Sequence, residues 1–110
     1  MGRQEVGVVK ILNVMDGLGH VKETGPGVYE SGYWTRPDRD CEIIRLFKSG
    51  TGRSFLGGRI IAVREEFYSD PQKPGGARKV KVFTFQDEVA EHGRPRPDRF
   101  RVNGCKSHTE

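Results

Sequence analysis

The sequence predicts a mainly β fold of the α+β kind, a small mixed or antiparallel β-barrel with one or two short helices. Its 15 glycines and its hydrophobic fraction of 34% favour a turn-rich fold over a helical bundle. The β-branched and aromatic residues gather in short runs that clusters of Gly and Pro separate, as in small barrels. A chain of 110 residues suffices for one modest core, so residues 1–110 are assigned to a single domain.

Four or five strands are expected. The first is QEVGVVKILNV, which ends at the turn DGLG, and the second is VYESGYW, which begins after the breaker ETGPG. The third is CEIIRLFK, with Ile44 and Leu46 on one face and Ile43, Arg45 and Phe47 on the other. TRPDRD has the residues of a helix start and predicts about one helical turn before this strand. A longer helix through CEIIRLFK is the competing interpretation, which the short β-branched run disfavours.

The second half of the chain contains the two strongest strand signals. GGRIIAVREEFY opens on Gly57-Gly58, which indicates a bulge or a close approach of two backbones. RKVKVFTFQDEV has adjacent apolar residues, which predict burial on both faces for part of its length. SDPQKPGGA between them is predicted to be an exposed loop, and FRVNGCKSHTE to form one last short strand and a tail.

The charge balance favours a polyanionic partner. The chain has 19 Lys and Arg against 15 Asp and Glu, a formal net charge of +4 and an isoelectric point near 9.3. Arg94, Arg96, Arg99 and Arg101 crowd the segment HGRPRPDRFR, for which a solvated loop is the plain alternative. No run of about 18 apolar residues and no apolar leader is visible, so we expect a cytoplasmic protein without a membrane partner.

Cysteine spacing argues against a disulfide scaffold or a metal centre. Cys41 and Cys105 form neither a CxxC motif nor a two-pair zinc pattern, so reduced thiols are expected. Cys105 and His108 make one C-x-x-H half of a zinc site, but no second pair has a matching spacing. We therefore expect no metal and no cofactor.

The segment GVYESGYW contains two tyrosines and the single tryptophan of the chain. Strand alternation would place Tyr29, Ser31 and Tyr33 on one face and Trp34 on the other, unless a bulge at Gly32 breaks the alternation. Exposed rings beside cations hold single-stranded nucleic acid by stacking. The alternative is that Trp34 fills the core with its indole N–H hydrogen-bonded.

A second candidate segment is FKSGTGRSF. It is neither a P-loop nor a dinucleotide fingerprint, because a Lys-Ser/Thr pair does not follow its last glycine and the chain continues as a strand. Backbone N–H groups of its Gly turn, with Lys48, Ser49 and Arg53, are suitable phosphate donors. A hairpin loop with solvated charges is the alternative.

ESGYW, FKSGTGRSFLGGRI and the terminal GCKSH together resemble, in order and spacing, small bacterial and phage proteins of the PUA-like superfamily, which contains the ASCH and EVE domains. The resemblance implies a PUA-like β-barrel whose cleft takes RNA, or DNA carrying a modified base that is flipped into an aromatic cage. By position, Trp34 and Tyr33 would line the cleft, and Ser31 would be a polar contact. His108 falls where related sequences often have a C-terminal His. The abbreviated helix at TRPDRDC departs from the family pattern.

The sequence thus favours a non-catalytic nucleic-acid-binding module, a monomer or weak dimer, with RNA or DNA as its partner. The full set of predicted binding residues is Tyr29, Ser31, Tyr33, Trp34, Lys48, Ser49, Arg53, Arg94 and Arg96. One alternative is a small ASCH-type hydrolase of a nucleoside, amide or RNA, in which Lys48, Glu30, Tyr33 and His108 would be the catalytic groups. Another is a phage-borne protein that inhibits a host enzyme by binding to it.

Overall fold

The chain folds into one seven-stranded mixed sheet in a computed structural model. The structure describes residues 9–15, 21–34, 40–48, 50–69, 75, 77–97 and 105–110. The strands are β1 Lys10–Met15, β2 Val21–Gly25, β3 Val28–Trp34, β4 Ile43–Phe47, β5 Leu56–Tyr68, β6 Arg78–Asp87 and β7 Cys105–Thr109. The mainly β class predicted from the sequence is confirmed.

The strand order is β2-β3-β6-β5-β4-β1-β7, and β1 and β4 are parallel while the other neighbours are antiparallel. The predicted closed barrel is wrong, because the described residues of β2 pair with β3 alone and those of β7 with β1 alone. Closure would require β2 to pair with β7. Three of the five residues of β2 are exposed, as is usual for a strand at the edge of a sheet.

The strand segments predicted from the sequence are found, but the structure has seven strands rather than the four or five expected. CEIIRLFK is a strand, β4, as preferred over the helix. β2 was not predicted, because VKETG is polar and lacks the apolar alternation of a half-buried strand. In the described part of the chain the one helical element is a short 3-10 helix, Val89–Glu91. The helical turn predicted at TRPDRD falls on residues 35–39, outside the described residues.

The sheet curves around its main core. One buried cluster joins residues of strands that are not neighbours: Leu12, Val14, Trp34, Ile44, Leu46, Phe83 and Phe85, with Cys41. We call the side of the sheet that carries Leu12 and Phe83 the inner face, and the opposite side, which carries Asn13 and Arg45, the outer face. On β1 and β4 the outer face is buried as well, so these two strands are covered on both sides.

Gly57 and Gly58 place three strands in close contact, which confirms the predicted close backbone approach. A Cβ atom at Gly58 would lie 1.8 Å from the backbone oxygen of Gln86 on β6, and one at Gly57 would lie 2.6 Å from the backbone oxygen of Ile44. Only glycine fits such a contact between backbones. The two glycines therefore allow the start of β5 to pack closely between β4 and β6.

β5 and β6 form a long hairpin of 13 and 10 residues, and the molecule is elongated, with extents of 54 × 35 × 31 Å. Burial on both faces of β6 is confirmed, since Val80 and Val82 are buried on the outer face and Phe83 and Phe85 on the inner face. No helix in the described ranges is long and apolar enough to cross a membrane.

Candidate functional site

The aromatic segment of β3 is irregular at Gly32. The register with β6 shifts between Ser31 and Trp34, which puts these two side chains on the same, inner face. A Cβ at Gly32 would lie 2.9 Å from Cγ2 of Val82, so the absence of a side chain there lets β3 approach β6 closely. The simple alternation that would separate Ser31 from Trp34 is therefore wrong.

Trp34 is part of the core. Its side chain belongs to the buried cluster, only 8% of the residue is exposed, and its Nε1 donates a hydrogen bond to Oγ of the buried Ser31 at 3.0 Å. Both polar groups thus satisfy each other inside the protein. The expectation that Trp34 lines an open cleft is wrong for this arrangement.

The two tyrosines of β3 differ in exposure. Tyr29 is half-buried and its ring stacks on Phe85, with 5.6 Å between the centroids and 20° between the planes. The neighbouring Glu23 carboxylate, with burial and Asp87 contributing less, raises the pKa of the Tyr29 hydroxyl. Tyr33 is 48% exposed and is the one large ring of this segment that faces solvent.

Two basic loops lie side by side at the other end of the sheet. Residues 50–55 follow β4, and residues 92–97 follow the 3-10 helix. Backbone hydrogen bonds join them: Ser54 N to Arg94 O at 2.9 Å, Gly93 N to Ser54 O at 2.8 Å, and Arg96 N to Gly52 O at 2.9 Å. Arg53 also forms a β-bridge with Pro95. Segments about 40 residues apart in sequence are thus held as a short two-stranded ribbon.

The side chain of Ser54 joins this ribbon to the 3-10 helix. Its buried hydroxyl donates to the backbone oxygen of Glu91 at 2.6 Å and accepts from the backbone N–H of Arg94 at 2.9 Å. A hydroxyl is suited to both roles at once. The ribbon is therefore fixed to the 3-10 helix by side-chain as well as backbone bonds.

The ribbon presents three exposed cations, Arg53, Arg94 and Arg96, and the exposed Lys48 lies just before it in the sequence. We call these four residues the basic loop surface. Arg53 Nη1 donates to the backbone oxygen of Gly93 at 2.8 Å, and Nζ of Lys48 lies 5.0 Å from the centroid of the Phe55 ring. These contacts orient the side chains at the surface. Ser49, predicted to belong to the same group, lies outside the described residues.

The structure separates Trp34 from the basic loop surface. Trp34 pairs with Lys81, and Lys81 pairs with Glu65 on β5. The basic loops join β5 at Leu56, nine residues earlier, so at about 3.3 Å per residue Trp34 lies about 30 Å from them along β5. Tyr29 lies nearer, because it pairs with Phe85, which in turn pairs with Ile60. Trp34 and the basic loops therefore do not line one cleft.

Arg45 is a buried cation that the sequence analysis did not identify as important. Its side chain is only 3% exposed, and three of its nitrogens donate to carboxylates: Nε to Glu91 at 2.7 Å, Nη1 and Nη2 to Glu110 at 2.7 and 2.9 Å. The hydrogen bond to Glu110 and then that to Glu91 raise the pKa of the Arg45 guanidinium above its ordinary value, although burial opposes this. The signal in the sequence was a lone Arg within the apolar run IIRLF, since a buried charge requires partners.

Glu110 links this network to the basic loop surface. Besides Arg45 it contacts Arg94, with Nη2 of Arg94 at 3.4 Å from its Oε1, and His108, with Nε2 at 2.9 Å from its Oε2. Its backbone pairs with Val9 through two hydrogen bonds, at 2.8 and 2.9 Å. The position of Arg94 at the surface is therefore tied to a carboxylate that the core holds in place.

Both ring nitrogens of His108 are engaged. Nδ2 of Asn13 lies 2.7 Å from Nδ1 of His108, and Nε2 of His108 lies 2.9 Å from Oε2 of Glu110. A general base needs an available nitrogen, so His108 here is a structural link between β1 and the network.

The four groups of the hydrolase alternative do not meet. Glu30 lies on β3 and forms an ion pair with Arg64 of β5 at 2.7 Å, whose hydrogen bond lowers the pKa of the Glu30 carboxyl. His108 lies on β7, and four strands separate β7 from β3 in the sheet order. Lys48 contacts the ring of Phe55 at the basic loops. Tyr33 lies beside Trp34, at the end of β3 that is farther from these loops.

No three His, Cys, Asp or Glu side chains of the described ranges come together as a metal site requires. In comparisons with known proteins, no family model matches the chain, and no curated protein or solved structure is significantly similar to it. The functional assignment therefore depends on the chemistry of the two surfaces and the buried network.

Proposed function

We propose that the protein binds RNA or DNA through the basic loop surface formed by Lys48, Arg53, Arg94 and Arg96. The observation that carries this proposal is the pairing of residues 50–55 with residues 92–97, which brings cations from two distant parts of the sequence together on one exposed ribbon. Arg53 lies on one side of this ribbon, opposite Pro95, and Arg94 and Arg96 lie on the other. Separate solvated loops would not require such pairing.

The chemistry of this surface suits a phosphate backbone. Three of the four cations are arginines, whose planar guanidinium groups donate several hydrogen bonds to phosphate oxygens. The loops hold their own backbone groups in mutual hydrogen bonds, so little order remains to be gained when a ligand binds. A net charge of +4 attracts a polyanion over longer distances as well.

The proposal differs in one respect from what the resemblance to PUA-like domains implies. That resemblance supports RNA or DNA as the partner, but a cage around a flipped base has less support, because Trp34 is buried against Ser31. We therefore propose that contacts to the phosphate backbone dominate binding, with modest selectivity among sequences.

Fluorescence anisotropy with labelled single-stranded RNA, single-stranded DNA and duplex DNA over a range of salt concentrations tests this proposal. Binding should strengthen as salt falls, because each neutralised phosphate releases counterions. The double variant Arg94→Gln/Arg96→Gln should bind more weakly, and its slope of log K against log salt should be shallower by about 1.4 on a single strand.

The matched control removes the same charge elsewhere. Lys22→Gln on β2 and Arg78→Gln at the far end of β6, both exposed, should leave the salt slope nearly unchanged when combined. Thermal unfolding of both double variants shows that each is folded at the assay temperature. Absence of binding at low salt, or equal loss in the two double variants, would contradict the proposal.

Formation of product from a nucleoside or an oligonucleotide, measured by chromatography after incubation with the protein, would point to the hydrolase alternative instead. No described contact joins Glu30, Tyr33, Lys48 and His108, so we expect binding without product formation across a panel of nucleosides and oligonucleotides. Inhibition of a host enzyme stays a prediction from the sequence.

A further inference from the structure

An aromatic ring lies beside two of the cations of the basic loop surface. Phe55 packs against the buried cluster of the inner face, just before the first residue of β5. The residue is half-buried rather than sealed in the core. Nζ of Lys48, whose side chain is exposed, lies over the ring, 5.0 Å from its centroid. The basic loops thus bring together an aromatic face and a mobile ammonium group.

Arg53 lies on the same side of the ribbon as Phe55. The side chain of Ser54 between them is directed to the 3-10 helix, where its Oγ donates to the backbone oxygen of Glu91 at 2.6 Å. Successive side chains of an extended segment alternate, so those of Arg53 and Phe55 lie on the opposite side. Lys48 contacts the ring on this side as well. We call Lys48, Arg53 and Phe55 the Phe55 group.

The two cations of the Phe55 group keep their charge available for a ligand. Nη1 of Arg53 donates to a neutral acceptor, the backbone oxygen of Gly93, at 2.8 Å. No carboxylate of the described residues forms an ion pair with Lys48 or Arg53. On the other side of the ribbon, Nη2 of Arg94 lies 3.4 Å from Oε1 of Glu110. A phosphate at the Phe55 group therefore does not compete with an internal carboxylate.

We propose that the protein prefers single-stranded RNA or DNA, with one unpaired base stacked on Phe55 and the adjoining phosphates held by Lys48 and Arg53. This inference rests on the proposed function and assigns a substrate class to the same surface. The contact of Lys48 with the ring marks the face that a base would occupy. Its flexible side chain moves from the ring to a phosphate when a base takes that place.

A duplex does not offer the same contact. Its bases are already stacked on one another, so an aromatic side chain gains a base only after that base is unpaired, which costs energy. A single strand has accessible base faces, and proteins that bind it combine aromatic rings with cations along the backbone. Because every base has an aromatic face, such stacking is tolerant of sequence. The preference is therefore for strandedness rather than for a particular sequence.

The position of Phe55 distinguishes it from the aromatic residues of β3. Trp34 is buried and lies about 30 Å from the basic loops along β5. Tyr29 has its ring stacked on an aromatic residue of the core. Phe55 follows Arg53 by two residues and contacts Lys48. A strand whose phosphates lie on these two cations has a base within reach of the Phe55 ring.

Fluorescence anisotropy with two single strands of equal length tests this inference. One strand carries bases and the other is abasic throughout, so the two have the same phosphates. The wild-type protein should bind the strand with bases about tenfold more tightly, because stacking adds affinity that phosphate contacts do not supply. Phe55→Leu keeps an apolar side chain against the core and removes the flat ring, so it should bind both strands with the weaker affinity.

Phe67→Leu is the matched control, because Phe67 is 78% exposed but lies near the far end of β5, and it should keep the tenfold difference. Equal affinity of the wild type for the two strands, with binding that still strengthens as salt falls, would overturn the inference and leave phosphate binding intact. Failure to bind either strand at low salt would overturn the proposed function as well. Both comparisons use the wild-type protein, so they decide the matter even if Phe55→Leu fails to fold.

Discussion

Replacing Glu110 with Gln tests the stabilising effect of the buried Arg45 network. Glu110 accepts hydrogen bonds from two nitrogens of Arg45, at 2.7 and 2.9 Å, and contacts Nε2 of His108. The bonds from Arg45 and then from His108 lower the pKa of the Glu110 carboxyl to about 2 from its ordinary value of 4.5, although burial opposes this. A Gln side chain keeps the shape and removes the charge.

The expected loss follows from this pKa. One pKa unit corresponds to about 1.4 kcal/mol, so the difference between 4.5 and about 2 amounts to ~3.4 kcal/mol in full. The Glu110 side chain is 39% exposed, and water screens the interaction. We therefore expect Glu110→Gln to lower the free energy of unfolding by about 1–1.5 kcal/mol at neutral pH.

The loss should depend on pH with a defined sign. Because folding lowers the pKa of Glu110, its stabilising effect is complete above the unfolded pKa near 4.5 and disappears as the pH falls towards about 2. Urea unfolding, followed by the fluorescence of the buried Trp34 at several pH values, measures this directly. The curves of wild type and variant should converge over that acidic range.

Glu88→Gln is the control for this experiment. Its side chain is 38% exposed, nearly the same as Glu110, but its nearest cation, Arg59, is 3.8 Å away and itself 62% exposed. We expect a change below about 0.5 kcal/mol. If Glu110→Gln and Glu88→Gln cost the same, or if the cost for Glu110→Gln did not depend on pH, the reasoning about the network would be refuted.

Three further predictions concern the core and the thiols. Gly58→Ala, which places a methyl group 1.8 Å from a backbone oxygen of β6, should cost about 3 kcal/mol or more in urea unfolding, whereas Gly25→Ala, with open space around it, should change little. Ser31→Ala removes the acceptor of the Trp34 indole N–H and should lower the free energy of unfolding by about 1–3 kcal/mol. The near-ultraviolet circular dichroism spectrum should change as well, and an unchanged stability would contradict the buried hydrogen bond. Burial raises the pKa of the Cys105 thiol to about 12, so alkylation at mildly alkaline pH should be slow in the native protein and fast in denaturant, and rapid native labelling found by mass spectrometry would contradict this.

The sequence predicted those strands that are apolar enough to be recognised locally. IIRLF in β4 and VKVFTF in β6 contain adjacent β-branched and aromatic residues, which are typical of strands buried on both faces. The polar VKETG of β2 gives no such signal, because it is an edge strand and most of its residues face solvent. Whether the sheet closes into a barrel depends on whether β2 pairs with β7, and the composition of the chain does not predict this pairing.

The candidate site was predictable in its parts but not in its assembly. Each basic loop is visible in the sequence, but the pairing of Gly52 with Arg96 and of Ser54 with Arg94 is a contact between distant segments that no local pattern encodes. For the aromatic segment, period-two alternation assumed a regular strand. The irregular register at Gly32 reverses the face of Trp34, which changes the residue from a predicted ligand contact to part of the core.

Mapping of backbone amide chemical shifts during titration with a short single-stranded RNA or DNA tests the central claim most directly. If nucleic acid binds to the basic loop surface, the shifts should concentrate in residues 50–55 and 92–97, which form the paired basic loops. They should diminish as salt is added. Shifts concentrated instead around Tyr33 and Lys81, about 30 Å away along β5, would contradict it.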